Sequence, residues 1–352
     1  MTRTEALIAL NLSMDIGSIR LQRMLELFDS PEGCARNLKP FPAAALDQEL
    51  ALIKQHGCAV VTLYDKSYPR NLSYTFDKPI VLYVKGALEF RDNLSIAMVG
   101  CRAPSLYGLG QAQRFASEFG RRGITVISGM ARGIDTCSHE GALKAGGRTV
   151  AVMGSGFGHI YPPENESLAQ QISQSGAVVT EFPVSAGPER FHFPRRNRII
   201  SGLALGTFVV EAGRNSGSLI TAHCALDQGR DVFALPGKID APQAAGTNAL
   251  IQEGACLVSS IEDILESLPF LSNVCGSGRA ASAPSSAKPG TLSCLESTLY
   301  NIISCHPVPM EVLMEETRLD IVQLSGILLG LQLKGLITQA AAGIYIRSPN
   351  AR

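Results

Sequence analysis

Residues 94–128 have the sequence LSIAMVGCRAPSLYGLGQAQRFASEFGRRGITVIS. Two short apolar segments, 94–99 and 124–128, flank a longer segment that has room for one helix. Each apolar segment runs directly into a glycine. Near-continuous apolar strands joined by helices are typical of a parallel sheet that is covered on both faces. The segment therefore predicts one strand–helix–strand unit of an α/β fold.

The same alternation continues along the chain as far as residue 258. Further candidate strands lie at 148–153, 177–180, 206–211, 231–235 and 255–258. Most of them are separated by segments long enough for crossover helices. The sequence thus predicts a Rossmann-like, doubly wound and mostly parallel sheet. Because such sheets bind ligands at the carboxyl ends of their strands, the segment after each strand is a candidate binding site.

Four domains or segments are expected. Residues 1–75 have apolar residues at roughly helical spacing, which predicts a small helical domain. In one interpretation, that domain serves only to pack on the next one. Alternatively, it is a SAM- or helix-hairpin-helix-like module that contacts a DNA backbone. Its mixed charges favour the packing role. The sheet domain is expected at 76–270. Residues 271–290 include GSGRAASAPSSAKPG, a flexible linker. Residues 291–352 predict three helices and a hairpin that turns at Gly343, the pattern of a winged helix.

Composition excludes several classes of protein. The 352 residues contain 31 Lys and Arg and 31 Asp and Glu, so binding of nucleic acid by bulk positive charge is excluded and any such site must be a local patch. The nine cysteines form no CxxC pair, which argues against a disulfide framework or a zinc ribbon. We expect neither a metal nor another cofactor. Since no apolar run approaches the ~20 residues of a membrane helix, a cytoplasmic protein is expected.

The ends of the first two strands carry candidate anion-binding residues. Arg102 follows Gly100, and its guanidinium is a planar fork of donors that suits a phosphate. The second strand runs into Ser128, Gly129 and Arg132, at the start of the next helix. Glycine permits close approach of a ligand, and free N–H groups at a helix N-terminus bind anions. The alternative is an ordinary tight turn.

The strongest local signal is RFHFPRRNR at residues 190–198. Pro194 fits the first turn of a helix, so the arginines would surround its N-terminus. Cations there oppose the helix dipole, which makes sense if an anion binds. Phenylalanine rings offer faces on which bases stack. Alternatively, the arginines pair with carboxylates and the rings lie in the core, but only Glu189 is close in sequence. We favour a nucleic-acid site.

Two later strand ends add serines and a lysine. Glu211 to Ser218 ends one strand and opens a helix, and Lys238 follows the next strand. The convergence of five strand ends on Gly, Ser, Arg and Lys carries more weight than any single motif. The principal DNA-binding candidates are Arg102, Gly129, Arg190, Phe193, Arg195, Arg196, Asn197 and Arg198. The secondary candidates are Ser128, Arg132, Ser216, Ser218 and Lys238.

Motifs of catalysis are absent from the sequence. It has no GxxxxGK[ST] phosphate loop and no GxSxG nucleophile elbow. Asp135, His139 and Glu211 are explained as readily by helix caps and polar contacts in the core. We therefore expect a binding protein with no catalytic residues.

Taken in order, these segments resemble the DNA processing protein A (DprA/Smf) family. The segments that carry the resemblance are 99–105, 128–135, 160–162, 193–198, 211–218 and 235–237. The resemblance implies that the chain binds single-stranded DNA in a basic pocket, protects incoming strands in natural transformation and loads the RecA recombinase on them. It also implies a homodimer formed through the sheet domain.

The resemblance further implies roles for individual residues. Arg102, Arg190 and Arg196 would contact phosphates, and Phe193 would stack on a base. Gly129 would let the backbone approach the ligand. Asn197 and Arg198 belong to the family's RNR-like run and would be partly structural.

The C-terminal domain departs from what a DNA-reading winged helix needs. The expected recognition helix, 320–335, has Lys334 as its only cation. A helix for the major groove should be more basic. The domain is therefore expected to bind a protein, stabilise the dimer or contact DNA weakly.

Two alternative functions stay open. One is an enzyme that cleaves the glycosidic bond of a nucleoside monophosphate, although the PGGxGT-like run of such enzymes is absent. The other is a transcription regulator that uses the winged helix to bind duplex DNA.

Overall fold

The structure is a computed structural model that describes residues 1–13, 17–28, 30–38, 43–268, 271, 299–300, 302–303, 308–317, 319, 321–333, 336–341 and 343–347. The chain divides into two compact units, Met1–Ile264 and Leu265–Arg352. The expected linker, apart from residue 271, lies outside the described residues, as does most of the first helix expected in the C-terminal domain.

One nine-stranded sheet forms the centre of the first unit. Its strands are β1 (Ala59–Thr62), β2 (Val81–Gly86), β3 (Ser95–Val99), β4 (Thr125–Ser128), β5 (Thr149–Val152), β6 (Ala177–Thr180), β7 (Gly206–Val209), β8 (Asp231–Ala234) and β9 (Cys256–Leu257). The seven strands expected between 94 and 258 are confirmed.

Helices precede the sheet and connect its strands. They are α1 (Arg3–Leu12), α2 (Ser18–Leu27), α3 (Pro31–Arg36), α4 (Ala43–His56), α5 (Arg70–Ser73), α6 (Leu106–Arg121), α7 (Ile134–Lys144), α8 (Glu166–Ser175), α9 (His192–Leu203), α10 (Gly217–Asp227), α11 (Ala245–Gln252) and α12 (Ile261–Ser267). Short 3₁₀ turns occupy Phe90–Asn93, Pro163–Asn165 and Pro242–Ala244.

The order of the strands creates a switch point near the middle of the sheet. The order is β1-β2-β6-β5-β4-β3-β7-β8-β9, and all pairs from β6 to β9 are parallel. From β3 the chain first builds towards β6, and it then crosses back to build β7, β8 and β9 on the other side. This is the doubly wound architecture that the sequence predicts. Its crevice opens where the chain direction reverses, between the carboxyl ends of β3 and β7.

The strands are apolar on both faces because helices cover both. In β5, Val150 and Val152 pack in one core cluster with residues of α9 and α10, while Ala151 packs on the opposite face with residues of α1 and α8. Every residue of β3, β4, β5, β6 and β7 is buried. Burial on both faces explains why these strands have nearly continuous apolar sequences.

The N-terminal helices pack directly on this sheet. Leu7 and Leu10 of α1 belong to the same core cluster as Tyr83 of β2. The Asn11 side chain donates a hydrogen bond of 2.9 Å to the carbonyl of Glu181 after β6. The segment expected to be wholly helical, 1–75, also contains β1, which pairs antiparallel with β2. Its AVVT sequence is too short to show a strand period, and only the pairing with β2 makes it a strand.

The second unit has the arrangement of a winged helix in its described residues. Its elements are β10 (Val308–Pro309), α13 (Met310–Thr317), α14 (Ile321–Leu333), β11 (Ile337–Ala341) and β12 (Ile344–Arg347). The strands pair antiparallel in the order β10-β12-β11. Gly343 has a φ of 73° at the hairpin turn, where the sequence predicts it. The described part of the expected recognition helix, α14, has no Lys or Arg, and Lys334 lies outside the described residues.

Candidate functional site

A pocket of about 630 Å³ opens at the switch point of the sheet. It lies between the loop after β3, the loop after β7 and the first turns of α9 and α10. Its walls include Gly100, Cys101, Arg102, Ala131, Asp135, Arg190, Phe193, Pro194, Arg196, Asn197, Ile200, Gly213, Asn215, Ser216, Gly217, Ser218, Ile220 and Thr221. Seven of the thirteen candidate residues therefore meet in one place: Arg102, Arg190, Phe193, Arg196, Asn197, Ser216 and Ser218.

Arg196 supplies a buried positive charge to this pocket. Its side chain is on α9, is 4% exposed and donates from Nη1 to the carbonyl oxygens of Gly129 and Val152. These carbonyls end β4 and β5. Burial lowers the pKa of Arg196 to about 10, an effect that the nearby Asp135 opposes. The guanidinium stays charged at neutral pH, and its hydrogen-bond acceptors at the strand ends are neutral.

Gly129 makes room for this guanidinium. A Cβ atom built on Gly129 would lie 2.4 Å from Arg196 Nη1. Any larger residue would displace the arginine. The close approach that the sequence predicts at Gly129 is thus made by a side chain of the protein.

Asp135 is the only carboxylate that lines the pocket in the part of the chain that the structure describes. It lies in the first turn of α7, and the N–H of Ala131 donates to its Oδ2 over 3.4 Å. Burial raises the pKa of Asp135 to about 6, although the charge of Arg196 opposes the shift. The carboxyl group is thus close to its titration range at neutral pH.

The ring of Phe193 forms one wall of the pocket. Its centroid is 5.6 Å from that of Tyr161, with the ring planes at 55°. The guanidinium carbon of Arg102 lies 5.3 Å from the Phe193 centroid. A Cβ on Gly154 would lie 2.8 Å from Phe193 Cδ1, so only glycine lets the ring lie there. A fixed, half-buried aromatic ring next to an exposed arginine suits a base with its phosphate.

The N-terminus of α10 supplies donors opposite Phe193. Ser216 is the N-cap, and its Oγ lies 2.8 Å from Ser218 Oγ. Asn197 donates from Nδ2 to the carbonyl of Gly217 over 3.2 Å and accepts from Arg196 Nε over 3.2 Å. Asn197 therefore ties the first turn of α9 to the first turn of α10. The N–H groups and serine hydroxyls at this helix start form an anion-binding arrangement.

Arg195 and Arg198 are the candidates from the arginine-rich segment that the structure does not bring to the pocket. Arg195 Nε lies 3.2 Å from Oε1 of Glu181, which is 1% exposed. Arg198 contacts the other oxygen of Glu181, and its Nε lies 3.6 Å from Asp77 Oδ2. Both carboxylates are distant in sequence, so sequence inspection misses these ion pairs.

The three remaining secondary candidates lie outside the pocket, unlike Arg190. Ser128 is buried and donates to the carbonyl of Met98 over 2.6 Å. Arg132 makes two hydrogen bonds to Glu164, of 2.5 and 3.1 Å. Lys238 is exposed on the loop after β8 and does not line the pocket. Arg190 is exposed at the pocket rim.

The structure adds Asn215, Ile220 and Thr221 to the pocket walls. Ile220 and Thr221 follow Gly217 by three and four residues, so helical periodicity places them on the same face of α10. That spacing is a signal available in the sequence.

Glu211 is engaged in holding the loop after β3. Its Oε2 accepts the Ser105 N–H over 2.8 Å, and its Oε1 accepts the Ser105 hydroxyl over 2.5 Å. Ser105 is in turn the N-cap of α6. The carboxylate thus fixes the loop that presents Arg102.

In the described part of the chain, no group of three or more His, Cys, Asp or Glu side chains has the geometry to hold a metal ion. No described helix combines the length and the apolar character needed to cross a bilayer.

Comparisons with known proteins agree with this fold. A family model described as DNA recombination-mediator protein A matches residues 59–269, and a DprA winged helix domain model matches residues 282–343. Protein Smf of Escherichia coli is 44% identical over 237 residues, which are 67% of this chain. The matched region spans only 63% of the length of that relative.

Two solved structures are also similar. DNA processing protein A (DprA) from Streptococcus pneumoniae matches with a TM-score of 0.61 and 35% identity, over 75% of this chain and 93% of that chain. DNA processing protein A from Helicobacter pylori, whose structure addresses its single-stranded DNA binding mode, matches with a TM-score of 0.55 and 27% identity. That match covers 61% of this chain and 97% of the other.

Proposed function

The chain belongs to the DNA recombination-mediator protein A family, and from this premise we propose that it binds single-stranded DNA in the pocket between β3 and β7. The observation that carries the proposal is the grouping of Arg102, Arg190, Arg196 and Phe193 in one pocket whose described lining residues include a single carboxylate. The Helicobacter pylori relative is described as binding single-stranded DNA, which supports the choice of ligand.

The pocket can hold a strand through its backbone and one base together. Arg102 and Arg190 are exposed and carry donors for phosphate oxygens, while the start of α10 supplies N–H and hydroxyl donors. The buried charge of Arg196 adds attraction without needing direct contact. Phe193 offers a ring for stacking, worth ~1–3 kcal/mol per base.

Stacking on Phe193 favours a single strand over a duplex. In a duplex the base faces are covered by neighbouring base pairs, and the major-groove edges are read by basic helices or ribbons. Here the aromatic ring lies inside a crevice, and the described part of α14 has no cation. Phosphate contacts carry no sequence information, so binding should be nearly independent of sequence.

We propose that the pocket binds without turnover. Glu211, which lies next to the pocket, has both oxygens engaged by Ser105. Asp135 is the one carboxylate on the pocket wall among the described residues, and Arg196 is its charged neighbour. A second carboxyl group, which acid–base hydrolysis of a glycosidic bond would use, is not among the described residues of the wall.

Family membership also supports the downstream role. We propose that the chain works in the cytoplasm, protects strands that enter during natural transformation and loads the RecA recombinase on them as a homodimer formed through the sheet-containing unit. For the C-terminal winged helix we propose a contact with protein, because α14 lacks the basic residues that a duplex-binding helix needs. We further propose that the chain is divided into a helical segment, a sheet domain, a linker and a winged helix.

Fluorescence anisotropy tests the proposed binding. A labelled oligo(dT) strand and a matched duplex are titrated with protein across a salt series. We expect tighter binding of the strand, with log K falling linearly with log salt by about 0.7 per phosphate contact. Tighter or equal binding of the duplex would overturn the proposal and favour the regulator alternative.

Two variants separate the backbone contact from the base contact. Arg102→Ala should weaken binding of all sequences by a similar factor and reduce the salt slope by about 0.7. Phe193→Ala should weaken binding about tenfold with an unchanged slope, because stacking releases no counterions. A salt slope that falls in Phe193→Ala would contradict these assignments.

A further inference from the structure

The loops after β7 and β8 form a continuous surface beside the pocket. The N–H of Gly246 donates to the carbonyl of Ala212 over 2.7 Å. A Cβ on Gly213 would lie 3.4 Å from the carbonyl oxygen of Pro242. The segment that leaves β7 therefore touches the segment that leads into α11, and the two loops present one surface at the carboxyl edge of the sheet.

Arg214 projects from the first of these loops. Its neighbours in the chain, Gly213 and Asn215, both line the pocket, whereas Arg214 itself is exposed and does not. Among the described residues, Arg214 has no ion-pair or hydrogen-bond partner. A cation that stabilises no internal contact is free to meet an external anion.

Lys238 projects from the second loop, on a rigid base. Gly237 and Asn248 exchange two hydrogen bonds of 3.1 Å. The Ala241 N–H donates to the Lys238 carbonyl over 3.1 Å and closes a turn. Ile239, inside that turn, is 97% exposed. The turn therefore presents an ammonium group and an apolar side chain to solvent, with Asp240 as the acidic residue of the same turn.

We infer that a strand bound in the pocket continues over the ends of β7 and β8 and is held there by Arg214 and Lys238. This inference rests on the proposed function and extends its site beyond the pocket. Arg102, Arg214 and Lys238 follow the neighbouring strands β3, β7 and β8, whose ends lie about 5 Å apart in a sheet. The three strand ends therefore span roughly 10 Å, a distance that a few nucleotides of an extended single strand cover.

Single-stranded DNA fits this surface better than a protein partner does. Arg102, Arg214 and Lys238 follow three neighbouring strands, so the positive charge of the pocket extends along the sheet edge to the end of β8. Ile239 offers apolar surface to a base or sugar that has left the stack. A protein partner would need a larger apolar patch, and only Ile239 of this turn is a large exposed apolar side chain.

Oligonucleotide length tests the inference. Full-length protein with Arg214→Gln and Lys238→Gln is compared with wild type by anisotropy, using a two-nucleotide and a fifteen-nucleotide oligo(dT). We expect the short strand, which fills the pocket, to bind equally to both. The long strand should bind the variant about tenfold more weakly at 0.1 M salt, with a salt slope smaller by about 1.4.

The matched control removes two charges from the opposite edge of the sheet. Arg121 and Lys144 end α6 and α7, which return the chain to the amino ends of β4 and β5. Arg121→Gln with Lys144→Gln should leave binding of both strands within about twofold of wild type, the small residual that screened surface charges allow. Thermal melting of each variant by circular dichroism checks that the fold is intact.

The outcomes distinguish this inference from the proposed function. Failure of wild type to bind either strand would remove both. If wild type binds and the double variant has the same affinity for both strand lengths, only the extended path is overturned. Equal weakening of the short and the long strand would also overturn it, because the cations would then act on the pocket and not on a continuation of the strand.

Discussion

The arginines of segment 190–198 fall into two groups that lie in different surroundings. Arg190 and Arg196 line the pocket, whereas Arg195 and Arg198 contact Glu181. Residues 195 and 198 are three apart and share one face of α9, and Arg196 is turned by about 100° onto the next face. Arg195 and Arg196 are adjacent in sequence, yet the first forms an internal ion pair and the second faces the pocket.

What separates the two groups is the kind of acceptor that each guanidinium meets. Arg195 and Arg198 meet carboxylates, so their charges are neutralised inside the protein. Arg196 donates to two neutral carbonyls at strand ends, and its charge stays available to a bound anion. A cluster of arginines therefore marks a phosphate site only where its members form no close ion pair with a carboxylate, as Arg195 and Arg198 do.

The largest expected effect is on stability, in Arg198→Met. Removing one partner of a buried ion pair leaves the Glu181 charge less well compensated, and such losses typically cost 3–5 kcal/mol. We expect the free energy of unfolding in urea to fall by about 3 kcal/mol. Arg190→Gln, on the same segment but exposed, should change it by less than about 0.5 kcal/mol.

The variant Glu181→Gln with Arg198→Met is the control for charge. It removes both charges, so it should recover part of the stability that Arg198→Met loses. If Arg198→Met and Arg190→Gln unfold at the same urea concentration, the division of the arginines into two groups is wrong.

A smaller loss of stability is expected for Gly129→Ala. The new methyl group would overlap Arg196 Nη1 and push the guanidinium away from its carbonyl acceptors. Overpacking of this kind costs about 1–3 kcal/mol, and oligo(dT) affinity should fall as well. Gly110→Ala is the control, since a Cβ there meets no atom within 4 Å and alanine favours a helix. Unchanged stability and binding in Gly129→Ala would show that the arginine does not depend on this glycine.

Substitution of the exposed Arg190 should change binding without changing stability. Arg190→Gln should weaken oligo(dT) binding about fivefold at 0.1 M salt, the effect of one lost phosphate contact. Arg195→Gln should change affinity less, because its charge is already balanced by Glu181. Anisotropy at several salt concentrations measures the oligo(dT) affinity of both variants. A larger loss of affinity in Arg195→Gln than in Arg190→Gln would contradict the assignment of the two arginines.

The smallest effect concerns pH and Asp135. Its folded pKa, about 6, is raised above the ordinary value, so the carboxyl group takes up a proton as the pH falls through 6. The neutral form removes a negative charge from the pocket wall. Oligo(dT) affinity should therefore rise about threefold between pH 7.5 and 5.5.

Asp135→Asn should flatten this pH dependence. His192 adds little in the same range, because burial lowers its pKa. Affinity that falls on acidification, or a dependence that persists in Asp135→Asn, would show that another group titrates.

The fold was largely predictable because parallel strands buried on both faces leave continuous apolar segments in the sequence. Segments 94–99 and 148–153 are clear for that reason. The sequence does not predict β1 and β2, because an antiparallel pair at the sheet edge depends on a partner distant in the chain. Their position beside β6 follows from pairing, which no local pattern encodes.

The candidate site was predictable to the level of segments, and less so for individual side chains. Strand ends at a switch point must converge, so Arg102, Phe193 and Ser216 were brought together as the topology requires. Arg195 and Arg198 of α9 form ion pairs with Glu181, which follows β6, and Arg198 also pairs with Asp77, which precedes β2. Sequence spacing cannot show these pairs. The sequence predicts that a ligand approaches Gly129 closely, and in the structure the group next to it is the Arg196 side chain.

Photo-crosslinking tests the central claim most directly. Oligo(dT) carrying 5-iodouracil at single positions is bound to the full-length protein, irradiated and mapped by mass spectrometry. We expect the main adduct at Phe193, whose ring lines the pocket, or at Tyr161, whose ring packs against it, and none after Phe193→Ala when Tyr161 is also substituted. Adducts that map chiefly to residues 308–347, or to the face of α9 that carries Arg195, would contradict the assignment of the pocket as the single-strand site.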